Sequence, residues 1–160
     1  MMVGLVAHAS SVDYNVKDFG AKGDGKTLDH QAINAAIDTC VAHGGGRVVL
    51  PAGTYLCGSI RLKSHVELHI SAGAKILAAP ASMKAYDEAE EWVGPAYQDG
   101  GHTYFQNSLI YAIGQEHVSI TGRGMIDGLG LTKKDTENAG VLNGGNIGTG
   151  DKAIALKLCR

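Results

Sequence analysis

Arg47-Val48-Val49-Leu50-Pro51-Ala52-Gly53-Thr54-Tyr55-Leu56-Cys57-Gly58-Ser59-Ile60-Arg61-Leu62, continued by Val66-Glu67-Leu68-His69-Ile70 and Lys75-Ile76-Leu77, is the stretch on which the fold turns. Each run is short, apolar or alternating apolar and polar, as expected of strands with one buried face. The runs follow one another within seven to ten residues, across turns rich in Gly, Pro and Ser, so no helix fits between them. The phrase returns later. His65-Val66-Glu67-Leu68-His69-Ile70 is echoed by His117-Val118-Ser119-Ile120-Thr121, and a glycine turn and a short strand follow each (Lys75 to Leu77, Met125 to Asp127). Short strands recurring around glycine turns predict coils of a β-solenoid; on pattern alone a sandwich is the alternative.

Upstream, Tyr14-Asn15-Val16-Lys17-Asp18-Phe19 alternates like a half-buried strand, and Gly20 to Gly25 reads as a turn. The period then changes. Ala32, Ile33, Ala36, Ile37, Cys40 and Val41 form one stripe at helical spacing, which predicts a helix over 29–43 with Thr27 or Asp29 as N-cap. Gly44-Gly45-Gly46 supplies its stop.

Composition agrees with many tight turns. Glycine accounts for 23 of 160 residues, about twice its usual share of roughly 7%. The formal net charge of −2 lacks the basic excess of nucleic-acid or anionic-membrane binders. No apolar run reaches the length of a membrane-spanning helix.

Residues 1–9 read as the remnant of a signal peptide. Met1 to Val6 is apolar, and Ala7-His8-Ala9 has the small-x-small pattern of a cleavage site. The mature chain, residues 10–160, is then a single exported domain. Cys40 and Cys57 either pair, closing a loop worth about 3 kcal/mol in an oxidising compartment, or are buried free thiols, the reading preferred here. Cys159 is left over, and no cysteine or histidine spacing resembles a metal site.

Gly20-Ala21-Lys22-Gly23-Asp24-Gly25-Lys26-Thr27 matches the phosphate-loop pattern G-x-x-x-x-G-K-T letter for letter. Its context does not fit. A phosphate-loop strand lies inside a parallel sheet and is continuously apolar, whereas this one carries Asn15, Lys17 and Asp18. No later apolar strand ends in the Asp that would hold magnesium. Nucleotide binding is therefore set aside, and no cofactor is expected.

The same stretch carries a longer likeness. Val16-Lys17-Asp18-Phe19-Gly20-Ala21-Lys22-Gly23-Asp24-Gly25-Lys26-Thr27, the helix to Cys40, and Gly44-Gly45-Gly46-Arg47-Val48-Val49-Leu50-Pro51-Ala52-Gly53-Thr54-Tyr55 resemble the opening of polygalacturonases, glycoside hydrolase family 28. The likeness continues through Gly58 to Val66, Gly73 to Leu77 and Ile120 to Gly128. It implies an all-β fold, a right-handed parallel β-helix of the pectin-lyase-like kind with one N-terminal capping helix. It also implies inverting hydrolysis of polygalacturonate or related pectic bonds. One carboxylic acid protonates the leaving oxygen while a carboxylate activates water on the opposite face.

The family's catalytic motifs, Asn-Thr-Asp, Asp-Asp, Gly-His-Gly and Arg-Ile-Lys, are all missing here. Thr149-Gly150-Asp151-Lys152-Ala153-Ile154 looks like the segment around the Asp-Asp pair, but Lys152 stands where the second aspartate belongs. Asp127, in Ile-Asp-Gly, reads as a turn residue. No catalytic, cofactor-binding or metal-binding residue is assigned. The chain is expected to be the N-terminal fragment of such a hydrolase, cut off before its catalytic centre and inactive alone. Its partner would be a pectic polysaccharide or oligogalacturonide. Self-association would run through an uncapped last coil ending at Lys157-Leu158-Cys159-Arg160.

Residues 80–108 interrupt the strand rhythm and hold Tyr86, Trp92, Tyr97, Tyr104 and Phe105 beside Asp87, Glu88, Glu90 and Glu91. These aromatics either stack on sugar rings or fold back onto the scaffold. The second is the commoner fate of an insertion. A lyase or tailspike with the same opening, and a non-catalytic carbohydrate-binding β-helix, are the rival readings.

Overall fold

A computed structural model of the chain describes residues 12–90, 105–128, 141, 142, 145, 146 and 152–160. The strands in chain order are β1 (Asp13–Asn15), β2 (Asp24–Leu28), β3 (Gly46–Leu50), β4 (Gly53–Cys57), β5 (Ile60–Arg61), β6 (Val66–Ile70), β7 (Ala74–Ala78), β8 (Ile110–Ile113), β9 (Ser119–Gly122), β10 (Met125–Asp127), β11 (Val141–Leu142), β12 (Gly145–Asn146) and β13 (Ile154–Lys157). Helix α1 (His30–Ala42) lies between β2 and β3.

Three parallel sheets carry the fold, in the orders β1-β3-β6-β9, β2-β4-β7-β10 and β5-β8-β13. The chain visits them cyclically. From β3 it passes to β4 and β5, returns to the first sheet at β6, and repeats this through β7 and β8, then β9, β10 and β13. Each return lays a strand parallel beside its predecessor, so Arg47 meets Glu67 and Glu67 meets Ser119. A sandwich of hairpins would pair its strands antiparallel, and among the described residues only the two-residue strands β11 and β12 do so.

The alternation read from the sequence sets the interior. Val66, Leu68 and Ile70 of β6 and Ala74, Ile76 and Ala78 of β7 are buried, and the residues between them face outward. Equivalent positions form columns: Val48 over Leu68, Tyr55 over Ile76, Ile60 over Ile110. All six of these side chains are wholly buried, each contributing about 1.5–3 kcal/mol of apolar transfer.

Helix α1 packs Ile33, Ala36, Ile37 and Cys40 against that interior. Val41, placed in the apolar stripe by its spacing, is instead 37% exposed. The stop is glycine for two reasons. Gly45 has φ +99°, and a Cβ there would sit 2.4 Å from the His65 carbonyl oxygen of the next coil.

Other expectations are corrected. The strand predicted over Tyr14 to Phe19 ends at Asn15, whose side chain accepts the Lys17 amide and starts a 3-10 turn over Val16–Phe19. That turn buries Val16 and packs Phe19, three residues on, against the core. The Gly20 to Gly25 turn is cut short by β2. Asp29 does stand before α1, but its side chain makes no cap hydrogen bond there. Cys40 and Cys57 are buried free thiols. Residues 1–9 lie outside the described residues.

Candidate functional site

Charged and aromatic side chains converge on the outer face of the third sheet. Backbone satisfaction explains why a chain segment crosses there. Strand β5 is only two residues long and lies at a sheet edge. Asn34 of α1 covers part of that edge, with Nδ2 donating to the Ser59 carbonyl at 3.0 Å and Oδ1 accepting the Arg61 amide at 2.9 Å. The segment around Ala85 covers the rest. The Ser59 amide donates to the Ala85 carbonyl, and the Asp87 amide donates to the Ser59 hydroxyl at 3.0 Å. A Cβ on Gly58 would lie 1.8 Å from the Ala85 oxygen, so only glycine admits this crossing.

Asp87 is the hub. Arg61 donates to it through Nε at 2.7 Å and Nη2 at 2.5 Å, and the Tyr111 hydroxyl donates at 2.7 Å. Arg61 and Tyr111 are register partners in β5 and β8. Burial works against the Asp87 charge, but these hydrogen bonds outweigh it and hold the carboxyl below its usual range. Burial, reinforced by Asp87, pushes the Tyr111 hydroxyl up to about 12. Glu90 repeats the balance. Its partial burial is outweighed by the amides of Gln106 and Phe105, and its carboxyl is also held low.

Beside Glu90 stands Phe105. The Lys152 and Lys157 ammonium groups lie 5.6 and 5.1 Å from its ring centroid, and Lys157 Nζ is 3.5 Å from Glu90 Oε1. Cations, carboxylates and an aromatic ring thus lie together on this face. They are not arranged to protonate, since Asp87 and Glu90 are both held ionised. Asp13 and Asp24 are shifted the same way, so each described carboxyl with a resolved shift moves downward. A general acid needs the reverse.

Other candidates resolve individually. Asp127, expected in a turn, is the last residue of β10 and pairs across the sheet with Lys75 Nζ at 3.1 Å. Within the insertion, Tyr86 folds back, packing on the core with its hydroxyl donating to the Ala79 carbonyl. Trp92, Tyr97, Tyr104, Glu91 and Asp151 lie outside the described residues.

In the phosphate-loop look-alike, the protein's own carboxylates occupy four of the amides. Asp29 accepts from Lys22 and Gly23 at 2.7 and 2.9 Å, and Asp24 accepts from Lys26 and Thr27 at 2.9 and 2.8 Å. The Thr27 amide and the Lys26 amide lead in holding Asp24 at about 2. Thr27 Oγ1 donates to the same carboxylate. The second half of the segment lies in strand β2, with α1 starting beyond it.

The Asp87 hub escaped sequence reasoning because it joins residues 24 and 26 positions apart, in strands whose pairing spans an insertion. The one usable signal was Tyr111, outward-facing in an alternating run.

Comparison with known proteins places the chain. It is 35% identical over 130 residues to an exo-poly-α-D-galacturonosidase of Dickeya chrysanthemi, a match covering 72% of this chain and 19% of that protein. The family 28 exopolygalacturonase of Yersinia enterocolitica superposes with a TM-score of 0.61 at 39% identity, over 75% of this chain and 21% of the other. A shorter segment of 44 residues is 66% identical to alginate lyase 7 of Azotobacter vinelandii, covering 28% of this chain and 5% of that protein. The chain thus spans about a fifth, or less, of the length of these relatives. Among the described residues no helix is long and apolar enough to cross a membrane. Residues 14–136 match the model of the rhamnogalacturonase A/epimerase, pectate lyase-like family, and the chain belongs to that family.

Proposed function

We propose that this chain is the N-terminal part of an exported polygalacturonase-like glycoside hydrolase, which cleaves polygalacturonate by inverting hydrolysis, and that these 160 residues are inactive alone. The observation that carries the reading is the likeness to exopolygalacturonases across about three quarters of the chain, at 35–39% identity. The cyclic order of the three parallel sheets supports a right-handed β-helix sealed at one end by α1. Residues 1–9 would be the signal-peptide remnant, and residues 10–160 part of a single domain.

Inversion places an acid and a base about 6.5–9.5 Å apart, the acid kept protonated. The family's acid motifs are missing from this sequence, and the described carboxyls with resolved shifts are all held ionised. Without acid and base, contributions of about 10²–10⁴-fold each are lost. The purified chain should release no reducing ends from polygalacturonate. Release that disappears in Asp151→Asn would overturn the proposed inactivity and put Asp151 in a catalytic site. DNA beyond codon 160 should continue in frame with Asn-Thr-Asp and Asp-Asp.

The 66% identity over 44 residues favours a second reading, a lyase-type enzyme acting on alginate. It predicts a continuation without those two motifs, and a full-length product that acts on alginate and leaves polygalacturonate intact.

A further inference from the structure

We infer that the segment crossing the third sheet is an acid-released strap, hinged at Ser59 and latched by the Asp87 and Glu90 carboxylates. It has an outgoing limb, Ala85 to Glu90, and a returning limb, Phe105 to Ser108. Both limbs meet on Ser59, which is buried. Its hydroxyl accepts the Asp87 amide at 3.0 Å and points its own proton at the Ser108 and Gln106 carbonyls, 2.9 and 3.2 Å away. The Ser59 amide donates to the Ala85 carbonyl, and the close crossing over Gly58 holds Ala85 in place. Tyr86, next in the chain, packs on the core. No ionisable group takes part in these hinge hydrogen bonds, so acid leaves them intact.

Beyond the hinge the ties change character. Asp87 fastens the outgoing limb to Arg61 and Tyr111. Glu90 Oε2 accepts the Phe105 and Gln106 amides at 2.9 and 3.0 Å, fastening the outgoing limb to the returning one. All of these bonds end on a carboxylate. Charge-assisted hydrogen bonds are about twice as strong as neutral ones, so protonating the two carboxyls weakens the whole latch and spares the hinge. Arg61 of β5, Tyr111 of β8 and His30 of α1 face Asp87, and Lys157 of β13 faces Glu90 at 3.5 Å. His30, once charged, adds to the hold on Asp87, so release waits for the carboxyls themselves. Both carboxyls lie below their usual range in the folded chain. The latch is therefore complete above about pH 4, the unfolded range, and is lost as pH falls through the folded values. Release bares the Arg61 guanidinium and the Tyr111 hydroxyl on the outer face of the third sheet.

The test is amide hydrogen exchange of the full chain, resolved to single amides by mass spectrometry. Phe105 and Gln106 report on the latch, Ser59 on the hinge and Leu68 of β6 on the coils. At neutral pH Glu90→Gln, which has the shape of the protonated acid, should lower the protection of Phe105 and Gln106 roughly tenfold. Ser59 and Leu68 should keep their parent values. Asp87→Asn touches neither reporter amide, yet should lower them too, because it frees the limb that carries Glu90. Asp38→Asn removes a carboxyl paired with Lys63 outside the strap and should change nothing. In the parent, Phe105 and Gln106 should lose protection before Leu68 as pH falls below about 4. Unchanged protection of Phe105 and Gln106 in either Glu90→Gln or Asp87→Asn would overturn the strap. Loss in step with Leu68 would also overturn it, since carboxylates that merely stabilise the whole fold behave in that way. Loss of Ser59 together with Phe105 would remove the hinge and sink the proposal.

Discussion

Replacing Asp87 with Ala removes the hub that fastens the inserted segment to the third sheet. Three charge-assisted hydrogen bonds are lost, two from Arg61 and one from Tyr111. They are unequal. The Arg61 side chain is 53% exposed, so water re-solvates it, and its share is about 0.5–1 kcal/mol by the measure of surface pairs. The Tyr111 hydroxyl is only partly accessible and loses its acceptor, which costs about 1–2 kcal/mol. The sum, about 1.5–3 kcal/mol, lowers the melting temperature by roughly 4–8 °C for a chain this size. The pH dependence has a definite sign. The folded carboxyl lies below its unfolded value, so its stabilisation is fully present above about pH 4, the unfolded range. It is lost as pH falls through the lowered folded value. Parent and Asp87→Ala should therefore differ fully at pH 7 and converge as pH falls below about 4 towards the lowered folded value. Thermal or urea denaturation at several pH values measures this. A gap that persists undiminished at pH 3, or is absent at pH 7, would refute the hub as drawn.

Gly45→Ala combines a φ of +99° with a contact of 2.4 Å to the His65 oxygen; it should cost at least about 2 kcal/mol in urea denaturation, and a neutral result would mean the coils shift freely. Millimolar ATP with magnesium should leave the melting temperature unchanged, because Asp24 and Asp29 fill the loop amides; a rise of several degrees would revive nucleotide binding. Ile154 and Leu156 stand in the rows of buried Ile110 and Ala112, yet are 44% and 51% exposed. That apolar edge should drive association in sedimentation, and Leu156→Lys should shift it towards monomer. A monodisperse parent monomer would contradict this.

Local physics made part of this protein legible from its residues. Period-two burial in Val66-Glu67-Leu68-His69-Ile70 and the helical spacing of Ile33, Ala36, Ile37 and Cys40 are properties of a strand and a helix wherever they sit. The glycine stop at residues 44–46 follows from backbone conformation, and the ordered phrases from Val16 to Gly128 carried the family resemblance. What needed the tertiary structure was everything set by which coil lies beside which. Asp29 reads as a helix cap but spends its carboxylate on Lys22 and Gly23. Val16 and Phe19 continue an alternating run but leave it for a 3-10 turn, because the core is reached that way. Arg61, Asp87 and Tyr111 meet only because the insertion folds back across β5 and β8. Phe105, Lys152 and Lys157 meet only because β13 returns beside β8. Side-chain periodicity is encoded within a few residues, whereas partners in a stack of coils are chosen by register, which inserted segments shift without leaving a local mark.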